Sequence, residues 1–197
     1  MAFLRTHQLF WTSILTGVNP GKHGILGYYL VKFRGDKVIK KLVTSESVEY
    51  PRIWEMLSFH RIKSLIINAP LTWPSSSMIL RNTILVSGWD SPRIEIVPKQ
   101  IKEKYGHLFP SYKSSWGRYV RSRTSRHLYP AILLEDMLRR IEGTYEIISV
   151  YEPDFLFILF SEFDWIFHFD PRLLLSLIHI SEPTRPLYIS YAVFCLK

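Results

Sequence analysis

Two short, uninterrupted apolar runs constrain the fold of this chain more than any other feature of its sequence. Residues 64–68 (SLIIN) and 155–160 (FLFILF) consist almost entirely of strand-forming apolar residues. A strand without a polar face is buried on both sides, and such strands are typical of parallel sheets covered by helices. The helical spacing of apolar residues over 131–149 predicts a long helix just before the second run. Strand, helix and strand in alternation predict an α/β fold.

Further elements are predicted around this frame. Residues 11–27 favour a short helix and then a glycine-rich turn, and Arg34-Gly35-Asp36 favours a hairpin between runs 28–33 and 37–43. A helix is expected to begin at Pro51, and another near Pro98. The apolar side of the long helix is predicted to contain Ile132, Met137, Leu138, Ile141, Tyr145 and Ile148.

Composition narrows the class of protein. Hydrophobic residues make up 47% of the 197 residues, which is typical of a chain with a folded core, and no apolar run is long enough to span a membrane. We therefore expect no membrane partner. The single cysteine, Cys195, excludes an internal disulfide framework, which fits a cytoplasmic protein. The net charge of +8 favours anionic partners, such as phosphate esters.

The last part of the chain is expected to be foreign to the domain. Residues 175–185 (LSLIHISEPTR) resemble the translation of a transposase-type sequencing adapter, and residues 189–197 (ISYAVFCLK) resemble its far end in the same reading frame. We therefore expect a domain over residues 1–174 and a non-native tail over 175–197. Cys195 and His179 then have no functional meaning.

Asp164 and His168 are the candidate metal ligands. They follow the second apolar run, and ligands gather at the carboxyl ends of strands in open α/β sheets. If residues 164–168 form one helical turn, both side chains lie on the same face, where a carboxylate and an imidazole can bind one divalent ion. An Asp-x3-His pattern is short, so a surface pair without metal is the alternative.

Four segments, in order, resemble the type I phosphodiesterase/nucleotide pyrophosphatase group of the alkaline phosphatase superfamily. The segment WTSILTGVNPGKHGILGY (11–28) is similar to the group's signature near its catalytic residue. IWEMLSFHRIKSLIINAPLTWP (53–74), LVSGWDSP (85–92) and PDFLFILFSEFDWIFHF (153–169) resemble later blocks, of which the last contains the metal-binding Asp-x3-His. The resemblance implies a fragment of an alkaline-phosphatase-like domain, with a mainly parallel central sheet flanked by helices. His23 in the signature is then a turn residue.

The resemblance also implies chemistry. Members use a Thr or Ser nucleophile and two divalent ions, usually zinc and sometimes manganese, to hydrolyse phosphoester or phosphodiester bonds of small or nucleotide-like substrates. Asp164 and His168 would bind one ion. Thr6 is the nucleophile candidate, although residues 1–10 depart from the expected pattern, and Asn68 either orients substrate or caps the loop at Pro70. An Asp upstream and an Asp-His pair with a further His downstream would complete the site, so we expect this fragment to be inactive.

Two alternatives remain open. Residues 104–134 contain no Asp or Glu, and within them the stretch 112–129 mixes Arg and Lys with Tyr and Trp. Such a stretch is used by nucleic-acid-binding modules, although the sequence favours a solvated loop first and a surface that attracts anionic substrate second. The other alternative is a sulfatase-type or phosphoglycerate-mutase-type member of the same superfamily.

Overall fold

The computed structural model describes residues 7–111, 128–169 and 192–196. They form a five-stranded sheet with helices on both faces, and a separate two-stranded hairpin. The helices are α1 (His7–Thr16), α2 (Pro20–His23), α3 (Ile53–Phe59), α4 (Lys99–Tyr105), α5 (Leu128–Tyr151) and α6 (Glu162–Phe169). The strands are β1 (Tyr29–Arg34), β2 (Lys37–Leu42), β3 (Ser64–Ala69), β4 (Thr83–Ser87), β5 (Ile96–Val97), β6 (Phe155–Leu159) and β7 (Ala192–Leu196).

The centre of the sheet is parallel, as predicted. The strand order is β5-β4-β3-β6-β7, in which β3 pairs in parallel with both β4 and β6. Every residue of β3 is buried, which explains why its sequence has no polar alternation. The edge strands β5 and β7 run antiparallel to their neighbours. The α/β fold with a parallel-rich sheet is therefore confirmed.

Alternate residues of the central strands supply two hydrophobic cores, one on each face of the sheet. Leu65 and Ile67 of β3 pack on one face with Ile147 of α5. Ile66 of β3 packs on the opposite face with Trp54 of α3. The period of two along a strand therefore determines which helices cover which face.

The predicted apolar side of α5 was only partly right. Ile132 is buried and Ile148 packs against the core, but Tyr145, Leu138 and Ile141 are exposed, by 70%, 56% and 43%. The buried stripe consists of Tyr129, Ile132, Leu133, Asp136, Arg140, Gly143, Thr144 and Ile147. Because polar residues and a glycine occupy half of this stripe, hydrophobicity alone displaced the predicted face from the buried one.

Gly143 does not weaken α5 in the way that its propensity suggests. A Cβ atom at this position would lie 2.8 Å from Cζ of Phe109 and 2.9 Å from Cβ of Leu108. The glycine therefore permits close packing between α5 and the segment that follows α4.

Helix α3 begins at Ile53, two residues after Pro51. Glu55 is buried with Trp54 on this helix, and it accepts hydrogen bonds from the backbone and guanidinium of Arg52.

The hairpin β1–β2 was predicted almost to the residue. Its strands pair from Tyr29 opposite Leu42 to Arg34 opposite Lys37. Leu30 is half-buried against Ile25, Val43 and Leu71, and every other residue of the two strands is exposed.

Strand β7 lies in the segment that the sequence predicts to be a non-native tail. It pairs antiparallel with β6, from Phe155 opposite Leu196 to Leu159 opposite Ala192. The domain boundary near residue 174 stays a prediction. Among the described residues, none of the helices is long and apolar enough to cross a membrane.

Candidate functional site

The carboxyl ends of β3, β4 and β6 bring together the segments that the sequence singled out. Asn68 lies at the end of β3, residues 88–90 follow β4, and α6 follows β6 after a two-residue connection. Gly88 permits a close approach between the first two segments, because a Cβ there would lie 2.1 Å from the carbonyl oxygen of Ala69. This edge of the sheet is where open α/β proteins bind ligands.

Helix α6 carries Asp164 and His168. The predicted helical turn is present, since α6 spans Glu162–Phe169 and includes both residues. Asp164 lies in the first turn of the helix and is half-buried. The spacing of four residues therefore places the two positions on one face of α6.

A buried ion pair fixes the beginning of α6. Nη2 and Nε of Arg140, on α5, donate to Oε1 of Glu162 over 2.9 and 3.2 Å. The Arg140 side chain is 5% exposed and the Glu162 side chain 1%. Glu162 lies two positions before Asp164, so this pair sets the position of the helix turn that carries the first candidate ligand.

Asn68 links β3 to the start of α6 rather than capping the loop at Pro70. Its Nδ2 donates to the carbonyl oxygen of Leu159 over 2.7 Å and to Oγ of Ser161 over 3.0 Å. The residue is buried and has a φ of 62°, a left-handed conformation that asparagine adopts more readily than most residues. Asn68 also lines a cleft together with Arg140 and with Trp89 and Trp165, whose rings meet edge to face at 6.3 Å. The proposed role in orienting substrate remains untested.

Asp90 is a member of this site that the sequence analysis missed. Its Oδ2 accepts hydrogen bonds from Nε2 of Gln8 over 2.9 Å and from the backbone N–H of Leu71 over 2.8 Å. Its Oδ1 is buried and has no hydrogen-bond partner among the described residues. Burial raises the pKa of Asp90, although these hydrogen bonds partly oppose the shift. One carboxylate thus joins α1, the loop after β3 and the loop after β4.

Tyr28 lies within the electrostatic reach of both Asp90 and Asp164. Burial raises the pKa of the Tyr28 phenol, and the two carboxylates raise it further. The phenol therefore stays protonated at neutral pH and can donate a hydrogen bond. Tyr28, four positions after the TGVNPGKHG block, is therefore close enough to both carboxylates for their charges to act on it.

His23 has the structural role that the sequence predicted. It is fully buried, its Nδ1 accepts from the backbone N–H of Ile25 over 3.1 Å, and its Nε2 lies 2.9 Å from Oγ of Ser13. Because Nδ1 is the acceptor, the proton of the neutral ring lies on Nε2, which donates to Ser13. Burial lowers the pKa of His23. Thr12 and Thr16 are buried in α1, and their hydroxyl groups donate to backbone carbonyl oxygens one turn earlier.

Other predicted features lie outside the described residues. Thr6 is among them, as is nearly all of the basic and aromatic stretch 112–129. Within the described residues, no group of three or more His, Cys, Asp or Glu side chains is arranged to hold a metal ion.

The fold and this edge define an α/β protein whose candidate ligand site lies where β3, β4 and β6 end. A family model described as type I phosphodiesterase / nucleotide pyrophosphatase matches residues 9–172, which is most of the chain, and the protein belongs to this family. Comparison with curated proteins and with solved structures gave no significant match. Family membership indicates a phosphodiesterase- or pyrophosphatase-type hydrolase, in a family that is generally metal-dependent.

Proposed function

We propose that this chain is part of a hydrolase that cleaves phosphodiester or pyrophosphate bonds of nucleotide-like substrates with two divalent ions, and that these ions are zinc. The observation that carries the proposal is the placement of Asp164 and His168 one turn apart on α6, at the carboxyl end of β6. A carboxylate and an imidazole form a donor set that suits Zn²⁺.

The surroundings of Asp164 fit a bound cation. Its carboxylate and that of Asp90 both lie close enough to Tyr28 to raise the pKa of its phenol, so two carboxylates approach this edge of the sheet. A divalent ion here would supply Lewis-acid activation of the phosphorus centre and would offset the charge that develops during hydrolysis. The protein's contribution is to hold Asp164 in place, through the Arg140–Glu162 pair at the start of the same helix.

Two further roles belong to the proposal. Asn68 would help to position substrate, because it lines the cleft beside Trp165 while its amide N–H groups hold β6 and the start of α6. Thr6 would supply the nucleophile, since it lies beside the position that the signature resemblance indicates. We expect the 197-residue chain itself to be inactive, because the family resemblance implies Asp and His ligands in addition to Asp164 and His168 for two ions.

Zinc binding tests the ligand assignment directly. Isothermal titration of the chain with Zn²⁺ is expected to detect binding that weakens by about tenfold or more in Asp164→Asn and in His168→Gln, as is typical when a metal ligand is lost. Glu103→Gln and His107→Gln, at exposed positions on and after α4, are matched controls that should leave the titration unchanged. Equal zinc affinity in all five proteins would contradict the assignment.

Hydrolysis of bis(p-nitrophenyl) phosphate tests the expected inactivity. The 197-residue chain with added zinc should show no turnover above background. Turnover that disappears in Asp164→Ala would show that the chain is sufficient for catalysis. A longer chain with the same domain should hydrolyse the ester, and a chelator should stop it.

A further inference from the structure

The β1–β2 hairpin has two faces of different chemistry. Residues that pair across an antiparallel ladder share a face, and alternate residues of a strand lie on opposite faces. The pairing register therefore defines an apolar face that consists of Tyr29, Val31, Phe33, Val38 and Leu42, with Lys40 opposite Val31. It also defines a basic face that consists of Lys32, Arg34, Lys37 and Lys41, with Leu30 and Ile39.

Both faces are exposed. Phe33, near the tip of the hairpin, is 77% exposed, and the other four apolar residues of its face are each at least 50% exposed. Leu30 anchors the base of the hairpin against Ile25 and Leu71, while the rest of both strands extends beyond the core. A patch of five neighbouring apolar side chains of this kind marks an interaction surface more often than a solvated one.

We propose that the hairpin is a docking surface for an anionic lipid bilayer. The charges favour an anionic partner, because the two strands and their turn carry Lys32, Arg34, Lys37, Lys40 and Lys41 against the single acid Asp36. The apolar face supplies aliphatic and aromatic side chains that enter the headgroup region, and long cationic side chains reach lipid phosphates from the basic face and the edges.

The same residues disfavour the other candidate partners. A second copy would bring two hairpins of five cations each together, and their mutual repulsion opposes that contact. Single-stranded nucleic acid stacks on aromatic rings, whereas three of the five apolar residues of this face, Val31, Val38 and Leu42, are aliphatic. Tyr29 and Phe33 are its two aromatic residues.

This inference differs from the sequence-based expectation of no membrane partner. That expectation considered membrane-spanning segments, and surface docking needs none. The split of apolar and cationic residues between two faces depends on the pairing register, which the structure supplies. The inference is independent of the proposed hydrolase activity, and the vesicle experiment below does not involve turnover.

The test is co-sedimentation of the 197-residue chain with two kinds of vesicle, pure phosphatidylcholine and a 7:3 mixture of phosphatidylcholine with phosphatidylglycerol. We expect binding to the anionic vesicles that is at least about tenfold stronger and that falls with added salt. Phe33→Ser should weaken it about fivefold or more, and Lys32→Glu/Lys37→Glu about tenfold or more.

Matched controls separate the hairpin from overall charge and hydrophobicity. Phe59→Ser replaces another exposed phenylalanine, which is 63% exposed at the end of α3. Arg81→Glu/Lys102→Glu removes the same net charge from exposed positions elsewhere. Both controls should bind vesicles like the parent chain, and thermal unfolding should show that all variants remain folded.

Several results would overturn the proposal. These are no preference for anionic vesicles, equal losses in the controls and the hairpin variants, or a loss in Lys32→Glu/Lys37→Glu without any in Phe33→Ser. A dimer in sedimentation velocity that Phe33→Ser abolishes would assign the face to a second copy. Oligonucleotide binding stronger than vesicle binding would assign it to nucleic acid.

Discussion

The buried pair of Arg140 and Glu162 makes the sharpest prediction about how the candidate metal helix is held. Arg140→Met removes the guanidinium and leaves the Glu162 carboxylate, 1% exposed, without its counterion. Breaking a buried pair in this way typically destabilises a protein by about 3–5 kcal/mol, which is a large part of the roughly 5–15 kcal/mol that holds a domain folded. Oε2 of Glu162 is already buried without a hydrogen bond among the described residues, so no second partner compensates for the loss.

Two companion variants separate the ion pair from general packing. Glu162→Gln keeps an oxygen that can accept from the guanidinium of Arg140, so its loss should be smaller, about 1–3 kcal/mol. Arg140→Met/Glu162→Leu removes both charges and should recover most of the stability lost in Arg140→Met, because neither charge is left buried alone.

Urea unfolding at pH 7, followed by circular dichroism, measures these free energies. The control is Lys99→Met, which breaks a 3.1 Å pair with Glu103 whose side chains are 85% and 62% exposed. Its loss should be at most about 0.5 kcal/mol. A loss below about 1 kcal/mol for Arg140→Met, or a double variant less stable than that single variant, would refute the reasoning.

Three further predictions concern single residues. Asp90→Ala should lower the free energy of unfolding in urea by about 1–3 kcal/mol, because it leaves the Gln8 amide unpaired. Asp90→Asn should lower it less at pH 7, since asparagine keeps an acceptor and removes a buried charge, and equal losses in the two variants would contradict this. Gly143→Ala should lower the melting temperature, because overpacking against Leu108 costs about 1–3 kcal/mol of stability and outweighs the roughly 1 kcal/mol gain in helix propensity. An unchanged or higher melting temperature would argue against the tight contact. His23 has a lowered pKa in the fold, so its contribution to stability is present above its unfolded pKa of about 6.5 and is lost as the pH falls below that value. His23→Gln should therefore flatten the dependence of the free energy of unfolding on pH between about 7 and 5. An equal slope in both proteins would show that another group is responsible.

The parts of the fold that the sequence predicted are those with a strong local signal. The apolar run of β3 and the turn between β1 and β2 give clear patterns, and both elements were located within a residue or two. The face of α5 was mispredicted in part because its buried stripe includes Asp136 and Arg140. Arg140 is buried with Glu162 of α6, and a contact between two helices cannot be recognised from the local sequence.

The candidate site follows the same division. Asp164 and His168 were predicted because four-residue spacing is visible in the sequence, and α6 has the helix that this spacing needs. Their role as metal ligands stays a prediction. Asp90 was missed because its partners, Gln8 and Leu71, are 82 and 19 positions away, and a lone aspartate in a loop has no periodicity. The hydrogen bonds of Asn68 to the end of β6 span more than 90 positions and were equally invisible.

The parallel pairing of β3 with β6 has a consequence for how the chain matures during translation. Asn68 and Leu159 form a hydrogen bond between the carboxyl ends of these two strands, beside the candidate site, and they are 91 positions apart. At about 5–20 residues per second, a ribosome needs roughly 5–18 seconds to extend the nascent chain over that distance. During this interval one edge of β3, every residue of which is buried in the fold, has no partner in the sheet, and edge strands in that state recruit other chains. A holding chaperone acting on nascent chains that end between residues 70 and 155 would therefore be expected to raise the yield of folded protein.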